Sequence, residues 1–290
     1  MIRESLSPLI TSRRNPLVRR LKSLVTRRGR EEQQLLLLEG THLLQEVLIC
    51  LQRMGPIELE VVATTDWLDR HADLFDRLPP ETVLHPVSEE VLSASITTIN
   101  PDGVATLLPS AALPQPVARA SLLLALDRLQ DPGNLGSLFR SSLAAGVEGL
   151  WMASGADPLA PKVLRSSAGS VLHLPHQRFG PSEQDGVAKL ATKLQEAVSQ
   201  GMQVVATLVP NPDGFESTPP YWELDWLKPT VLVLGNEGAG IHPSLQACCT
   251  HCISLPHSKA VESLNVAAAA VPLLLERRRV KMTTPLQQSG

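Results

Sequence analysis

Apolar positions fall into two alternating series along the chain. In the first, Leu17, Leu21, Leu24 and Val25 share one face of a basic helix over Pro16–Arg28. The run Leu35–Glu39 predicts a strand, and Gly40 and Thr41 open a helix that reaches Met54. Strands follow at Ile57–Ala63, Thr82–His85 and Val104–Leu108, with helices at Asp66–Arg77 and Ser88–Ser95, the latter capped by Ser88. This alternation predicts a small α/β domain over residues 1–108. Three prolines among small residues mark Pro109–Pro116, and residues 109–118 read as a linker.

The second series covers residues 119–281. Solid apolar runs predict strands at Ser121–Leu126, Gly149–Met152, Met202–Leu208, Val231–Leu234 and Cys252–Leu255. Such runs suit a parallel sheet covered on both faces. Helices are predicted at Leu135–Ala145, Pro161–Ser167, Glu183–Gln200 and Leu264–Arg279. Pro210–Pro229 is irregular, with Trp222 and Trp226 as a hydrophobic plug, and residues 282–290 read as a frayed polar tail.

The length of 290 residues suits two domains, and 43% apolar with 19% charged residues supports a sizeable core. Those values exclude a mostly disordered chain, a collagen-like fibre and a disulfide-dense miniprotein. Aromatics at 3% argue against nucleic acid gripped mainly by stacking. No apolar run approaches the roughly 18 residues of a membrane span, so no membrane partner is expected. Of the four cysteines, Cys248, Cys249 and Cys252 crowd together, which is no disulfide framework. A reduced, cytoplasmic protein is expected, with import into an organelle as the alternative.

Charge is distributed unevenly. Residues 1–30 hold nine Lys/Arg against one acid, and residues 31–110 hold three against fourteen. A basic arm on a nearly neutral chain is the footprint of a nucleic-acid contact, the alternative being a solvated helix face. The candidates on it are Arg13, Arg14, Arg19, Arg20, Lys22, Arg27 and Arg28.

Three segments of the second series end apolar strands with Gly, Asn, Ser or Glu, where open α/β sheets place ligands. Asp127-Arg-Leu-Gln-Asp-Pro-Gly-Asn134 precedes a helix bearing Arg140, with Asn134 expected at its N-cap. Val231-Leu-Val-Leu-Gly-Asn-Glu-Gly-Ala-Gly240 has the glycine order of neither a dinucleotide fingerprint nor a P-loop. It lets backbone groups approach a ligand closely and carries Glu237. In Ile253-Ser-Leu-Pro-His-Ser-Lys-Ala-Val-Glu-Ser-Leu-Asn-Val266, Ser263 is expected to open an Ala-rich helix. Each segment alone reads equally as a capped helix or a tight loop.

Together, Asp131-Pro-Gly-Asn-Leu-Gly-Ser-Leu-Phe-Arg140, Leu234-Gly-Asn-Glu-Gly-Ala-Gly240 and Glu262-Ser-Leu-Asn-Val266 resemble the three signature motifs of the SpoU/TrmH family of RNA ribose methyltransferases, in the knotted SPOUT class. Lys162-Val-Leu-Arg-Ser-Ser-Ala-Gly-Ser170 adds a fourth piece common in the family. Ile10-Thr-Ser-Arg-Arg-Asn-Pro16 and Leu38-Glu-Gly-Thr-His42 look like the substrate-binding domain that precedes many members.

The resemblance implies a parallel α/β sheet with a C-terminal trefoil knot, preceded by a small α/β RNA-binding domain. It implies S-adenosylmethionine as cofactor, held by Gly235, Leu255 and Leu264, with Leu208, Asn236 and Ile253 completing the adenine pocket. The reaction implied is transfer of the methyl group to a ribose 2′-hydroxyl, with ribosomal RNA favoured because the minimal tRNA members commonly lack the first domain. Arg140 is the key catalytic residue by resemblance, with Asn134, Glu237, Ser263 and Asn265 holding the site and the ribose. A guanidinium is a poor base. Arg140 is therefore read as orienting the target phosphate and lowering the hydroxyl pKa, with phosphate or water taking the proton. Members are homodimers through the knot, and the Ala- and Leu-rich last helix suits burial on more than one side. Arg277, Arg278, Arg279 and Lys281 then add positive charge near its end.

One departure stands out. Pro256-His257-Ser258-Lys259 replaces the family's Pro-Met-x-Gly, which puts Lys259 in the loop that closes over the cofactor. The Cys248-Cys-Thr-His-Cys252 cluster holds one half of a zinc ligand set, and no metal is expected. Rival readings are a tRNA 2′-O-methyltransferase, a non-catalytic RNA-binding member of the fold, and a small-molecule methyltransferase, which has no use for the basic arm.

Overall fold

The computed structural model describes residues 8–54, 57–209, 218–258 and 260–283. Lys259 and the tail beyond residue 283 lie outside them. The chain forms two compact units, Met1–Pro114 with Asp157–His173, and Gln115–Ala156 with Leu174–Gly290.

Unit 1 begins with α1 (Pro16–Leu24), where Asn15 Oδ1 accepts the Leu17 amide over 2.9 Å. Leu17, Val18, Leu21 and Leu24 are its buried face. The expected single helix to Arg28 is interrupted. Thr26 Oγ1 accepts the Gly29 amide and starts α2 (Arg27–Gln33). A Cβ on Gly29 would lie 2.0 Å from the Ser23 carbonyl oxygen, so glycine is what lets α2 fold against the end of α1. Next come β1 (Leu35–Glu39), α3 (Thr41–Met54), β2 (Glu60–Thr64), α4 (Thr65–Arg70) and α5 (Ala72–Phe75). The helix expected over Asp66–Arg77 breaks at His71, whose ring stacks on Trp67. β3 (Val83–Val87), α6 (Glu89–Ser95) and β4 (Val104–Pro109) complete the series, with Ser88 Oγ accepting the Val91 amide at the cap of α6. The sheet runs β1-β4-β2-β3, with β2 and β3 parallel and both β4 pairings antiparallel.

Unit 2 is a six-stranded sheet with every pairing parallel. Its elements start with β5 (Leu122–Leu126), α7 (Pro132–Ala145) and β6 (Gly149–Met152). The following stretch, with α8 (Pro161–Ser166), belongs to unit 1 although it falls inside the span 119–281 expected for the second domain. The reason is long-range pairing of buried charge. Arg30 is 5% exposed and binds Asp157, while Glu39, with a side chain 1% exposed, takes Arg165 Nη1 at 2.6 Å. Glu39 also accepts the amides of Thr97 and Thr98 at 2.9 Å each, and His173 Nε2 meets Glu46 Oε2 at 2.6 Å.

The chain returns to unit 2 with β7 (His176–Arg178), α9 (Glu183–Ser199), β8 (Gln203–Leu208), β9 (Thr230–Leu234), α10 (Pro243–Gln246), β10 (His251–Ser254) and α11 (Val266–Thr283). The strand order is β10-β8-β9-β5-β6-β7. β7 escaped prediction because it is a polar edge strand of three residues. β5 and β9 are buried throughout, and α11 packs on α7. Arg277 is not a surface charge. It is 2% exposed and donates to the carbonyls of Trp226 (2.8 Å), Lys228 (2.5 Å) and Ser121 (2.8 Å), pinning α11 at the entry to β5 and β9. Arg279 pairs with Glu276, and buried Trp226 donates its indole N–H to the Tyr221 carbonyl, whereas Trp222 is exposed.

Candidate active site

At the C-terminal ends of the central strands the three polar segments of unit 2 meet, linked by side-chain hydrogen bonds. Asp131, not Asn134, caps α7: its Oδ1 accepts the Asn134 amide at 2.7 Å. Asn134 therefore lies one turn inside the helix, with its carboxamide free to bridge. Its Nδ2 donates to Glu237 Oε1 at 3.3 Å, and its Oδ1 accepts Asn265 Nδ2 at 2.9 Å. Glu237 also accepts the amides of Gln130 (3.4 Å) and Asp131 (3.3 Å). Asn265, rather than Ser263, caps α11 by accepting the amides of Ala267 (2.9 Å) and Ala268 (3.2 Å).

The glycine loop is a closed turn. Asn236 and Gly240 exchange backbone hydrogen bonds of 2.9 and 3.1 Å, and Asn236 Oδ1 accepts the amides of Gly238 and Ala239. A Cβ on Gly235 would lie 2.5 Å from the Gly240 carbonyl carbon, so the strand can turn this sharply only with glycine. Below it, Asp127 is fully buried and its carboxylate holds Arg128 and the His242 amide. The Asp127 hydrogen bond, with Glu183 adding to it, holds the Arg128 guanidinium above its ordinary range despite partial burial.

A cavity of about 320 Å³ opens beside this loop. Gly235, Asn236, Leu208, Leu255 and Leu264 line it, as do Glu237 and Ser263. Ile253 does not; it is 1% exposed in β10 and belongs to the sheet interior. His257, Glu262 and Thr207 also line the cavity; the first two fall in the Ile253–Val266 motif segment, but none of the three was given a site role from the sequence. His257 and Glu262 are placed by the fold of the loop after β10, which no local pattern encodes, and Thr207 reaches the cavity from the end of β8. His257 donates Nδ1–H to the Leu255 carbonyl at 2.8 Å. Apolar walls, a close-approach backbone and a few polar groups fit an adenosyl cofactor. A larger space of about 640 Å³ lies by the residues that enter the strands and holds none of the candidate residues.

Arg140 is exposed on α7 and, among the described residues, makes no side-chain hydrogen bond or ion pair. Lys259 lies outside the described residues. The Cys248 and Cys249 thiols donate to the Ser244 and Leu245 carbonyls, and burial pushes the Cys249 thiol up to about 12.

The basic arm of unit 1 divides into two sets. Arg20 is taken up structurally, forking onto Glu60 with two contacts of 2.7 Å. Arg27 and Arg28 pair with Glu31 and Glu32 one turn on, and Arg13 lies 3.6 Å from Glu90. Arg14, Arg19 and Lys22 are exposed and form no side-chain ion pair among the described residues.

A parallel α/β sheet with a cavity at its strand ends, and a second compact α/β unit bearing exposed cations, fit an enzyme that acts on a polyanionic substrate. Comparison with known proteins gives the family. Residues 121–274 match the SpoU rRNA Methylase family, and residues 15–106 match the MRM3-like substrate binding domain. The chain belongs to the SpoU methylase family. It is 42% identical over 273 residues to an uncharacterized tRNA/rRNA methyltransferase of Synechocystis sp., covering 93% of each chain. It is 31% identical to the 23S rRNA (guanosine(2553)-2'-O)-methyltransferase RlmP of Bacillus subtilis, covering 93% of this chain and 98% of that one. The structure of AdoMet-bound rRNA methyltransferase from Sinorhizobium meliloti superposes with a TM-score of 0.70 at 27% identity, covering 94% of this chain and 98% of that one. The chain is thus an S-adenosylmethionine-dependent RNA methyltransferase.

Proposed function

We propose that this enzyme methylates a ribose 2′-hydroxyl of ribosomal RNA. The observation that carries the reading is the hydrogen-bonded junction of Asn134, Glu237 and Asn265 beside a cavity lined by Gly235, Leu208, Leu255 and Leu264. RlmP, a relative matched over nearly its full length, carries that activity in its name.

When bound, S-adenosylmethionine would supply an electrophilic methyl group with a neutral thioether as leaving group. Gly235, Asn236, Leu208, Leu255 and Leu264 would hold it in an apolar slot, with Ile253 supporting the slot from within the sheet. Asn134, Glu237, Ser263 and Asn265 present donors and acceptors that orient the ribose. Arg140 grips the target phosphate through its planar fork and lowers the pKa of the 2′-hydroxyl, whose proton passes to phosphate or water. Arg14, Arg19 and Lys22 bind the RNA backbone, with Arg13, Arg27 and Arg28 adding charge and Arg20 shaping the surface beneath them.

In this reading the C-terminal motif segments thread a trefoil knot, and two chains pair through it in the cytoplasm. Val271 and Leu275, one turn apart, leave an exposed apolar strip on α11, away from buried Ala270, Leu273 and Leu274. A second copy covering that strip is the dimer partner in this reading, and Arg140, which does not line its own chain's cavity, is then read as serving the partner's site.

The test is methyl transfer from labelled S-adenosylmethionine to unmodified rRNA and tRNA pools, followed by nucleoside analysis. Label in a 2′-O-methyl nucleoside of rRNA is expected. Label in tRNA alone overturns the rRNA assignment and keeps the chemistry. Cofactor binding without transfer to rRNA, tRNA or assembling ribosomal particles overturns the catalytic reading.

A further inference from the structure

Arg128 has a backbone φ of +53°, a left-handed conformation that side-chain-bearing residues adopt sparingly. Its guanidinium is fully engaged at that spot. Nε and Nη2 grip Asp127 Oδ1 and Oδ2 at 2.8 and 3.1 Å, and Nη1 meets Glu183 Oε1 at 2.5 Å. The twisted backbone aims the Arg128 carbonyl at the glycine loop, where it accepts Asn236 Nδ2 at 2.9 Å. Asp127 holds the other parts of the same loop. Its amide donates to the Leu234 carbonyl at 2.9 Å, and its Oδ2 accepts the His242 amide at 2.7 Å.

Two consecutive residues therefore hold both feet of the loop from Leu234 to His242. Between those feet Gly235, Asn236, Glu237, Gly238 and Gly240 line the cavity. We propose that Arg128, acting with Asp127, is the positioning residue that sets the glycine loop for cofactor binding. The proposal rests on the reading of this cavity as the cofactor site. Without the guanidinium, Asp127 is a buried charge lacking its main partner, and the structure must move to relieve it. The movement reaches the loop through His242 and Asn236, and not through any contact of Arg128 with ligand.

The experiment compares R128A, R128K and R128G in the full chain, with K193A on an exposed part of α9 as control. S-adenosylmethionine binding is titrated by calorimetry, kcat and KM are measured separately, and amide exchange is followed over residues 235–242. R128A is expected to raise the cofactor Kd about tenfold, the scale of one charge-assisted hydrogen bond, with a smaller change in kcat. R128G is expected to do the same although glycine suits the backbone, and R128K to recover part of the affinity. Exchange over 235–242 accelerates in R128A ahead of the rest of the chain. A cofactor Kd unchanged in R128A and R128G, with or without lower stability, overturns the proposal. Wild-type protein that fails to bind the cofactor overturns the cavity assignment, a separate and recognisable failure.

Discussion

The carboxamide of Asn265 donates to Asn134 Oδ1 at 2.9 Å, although the two residues lie 131 positions apart. The same Asn265 side chain accepts the first amides of α11. One residue thus starts the last helix and ties it to the helix that bears Arg140. Asn265→Ala is expected to cost about 1 kcal/mol for the lost cap, read by thermal unfolding. Methyl transfer should fall well beyond what that destabilisation explains, because Asn134 also loses its fixed orientation. Activity that tracks stability alone counts against a role for Asn265 in the site.

Arg140→Lys keeps the charge and loses the planar fork. Methyl transfer is expected to fall on the order of 10²-fold, the scale of one preorganised donor removed from a reacting centre. Cofactor affinity by calorimetry should stay within about twofold, since Arg140 does not line its own chain's cavity. Mixed dimers made from Arg140→Lys and a cavity variant such as Gly235→Ala would regain activity if Arg140 serves the partner's site.

Gly235→Ala forces a methyl group to 2.5 Å from Gly240 C and 2.7 Å from the Ile241 amide nitrogen. Both neighbours are backbone, so the loop must open. The expected outcome is a folded protein that has lost cofactor binding, checked by calorimetry beside circular dichroism.

The basic residues of α1 should separate by substitution. Arg19→Ala and Lys22→Ala each remove an exposed cation and are expected to lower the slope of log K against log salt for RNA by about one. Arg20→Ala should act on stability instead. Arg20, with His85 contributing, holds the Glu60 carboxyl below its ordinary range. The unfolded chain therefore binds that proton more readily, so stability is present above the unfolded pKa and lost as pH falls through the folded one. Arg20→Ala is expected to move acid unfolding to higher pH, read by fluorescence during acid titration.

Glu39→Gln tests the attachment of Asp157–His173 to unit 1. The buried carboxylate faces Arg165, Thr97 and Thr98, and a neutral amide turns an N–H₂ toward one of those donors. Removing one partner of such a buried cluster costs about 3–5 kcal/mol. Hydrogen exchange should accelerate over residues 157–173 first.

Much of this protein was legible in its residues. Apolar periodicity located β1, α3, α9 and the buried strands β5 and β9 within a residue or two, because each element buries a face that its own spacing defines. The glycine loop and the Asn and Glu residues at the strand ends were legible too, since the backbone there demands those residue types. The tertiary structure decided which side chains are spent on partners. It made Arg20, Arg30 and Arg277 structural, placed Ile253 in the sheet rather than the cavity, gave the helix caps to Asp131 and Asn265, and drew Asp157–His173 into unit 1. It also gave Arg128 its left-handed backbone beneath the glycine loop. Each of these depends on a hydrogen bond, an ion pair or packing set by the folded chain. Local spacing encodes which face a residue turns inward, and carries no record of the distant group it will meet there.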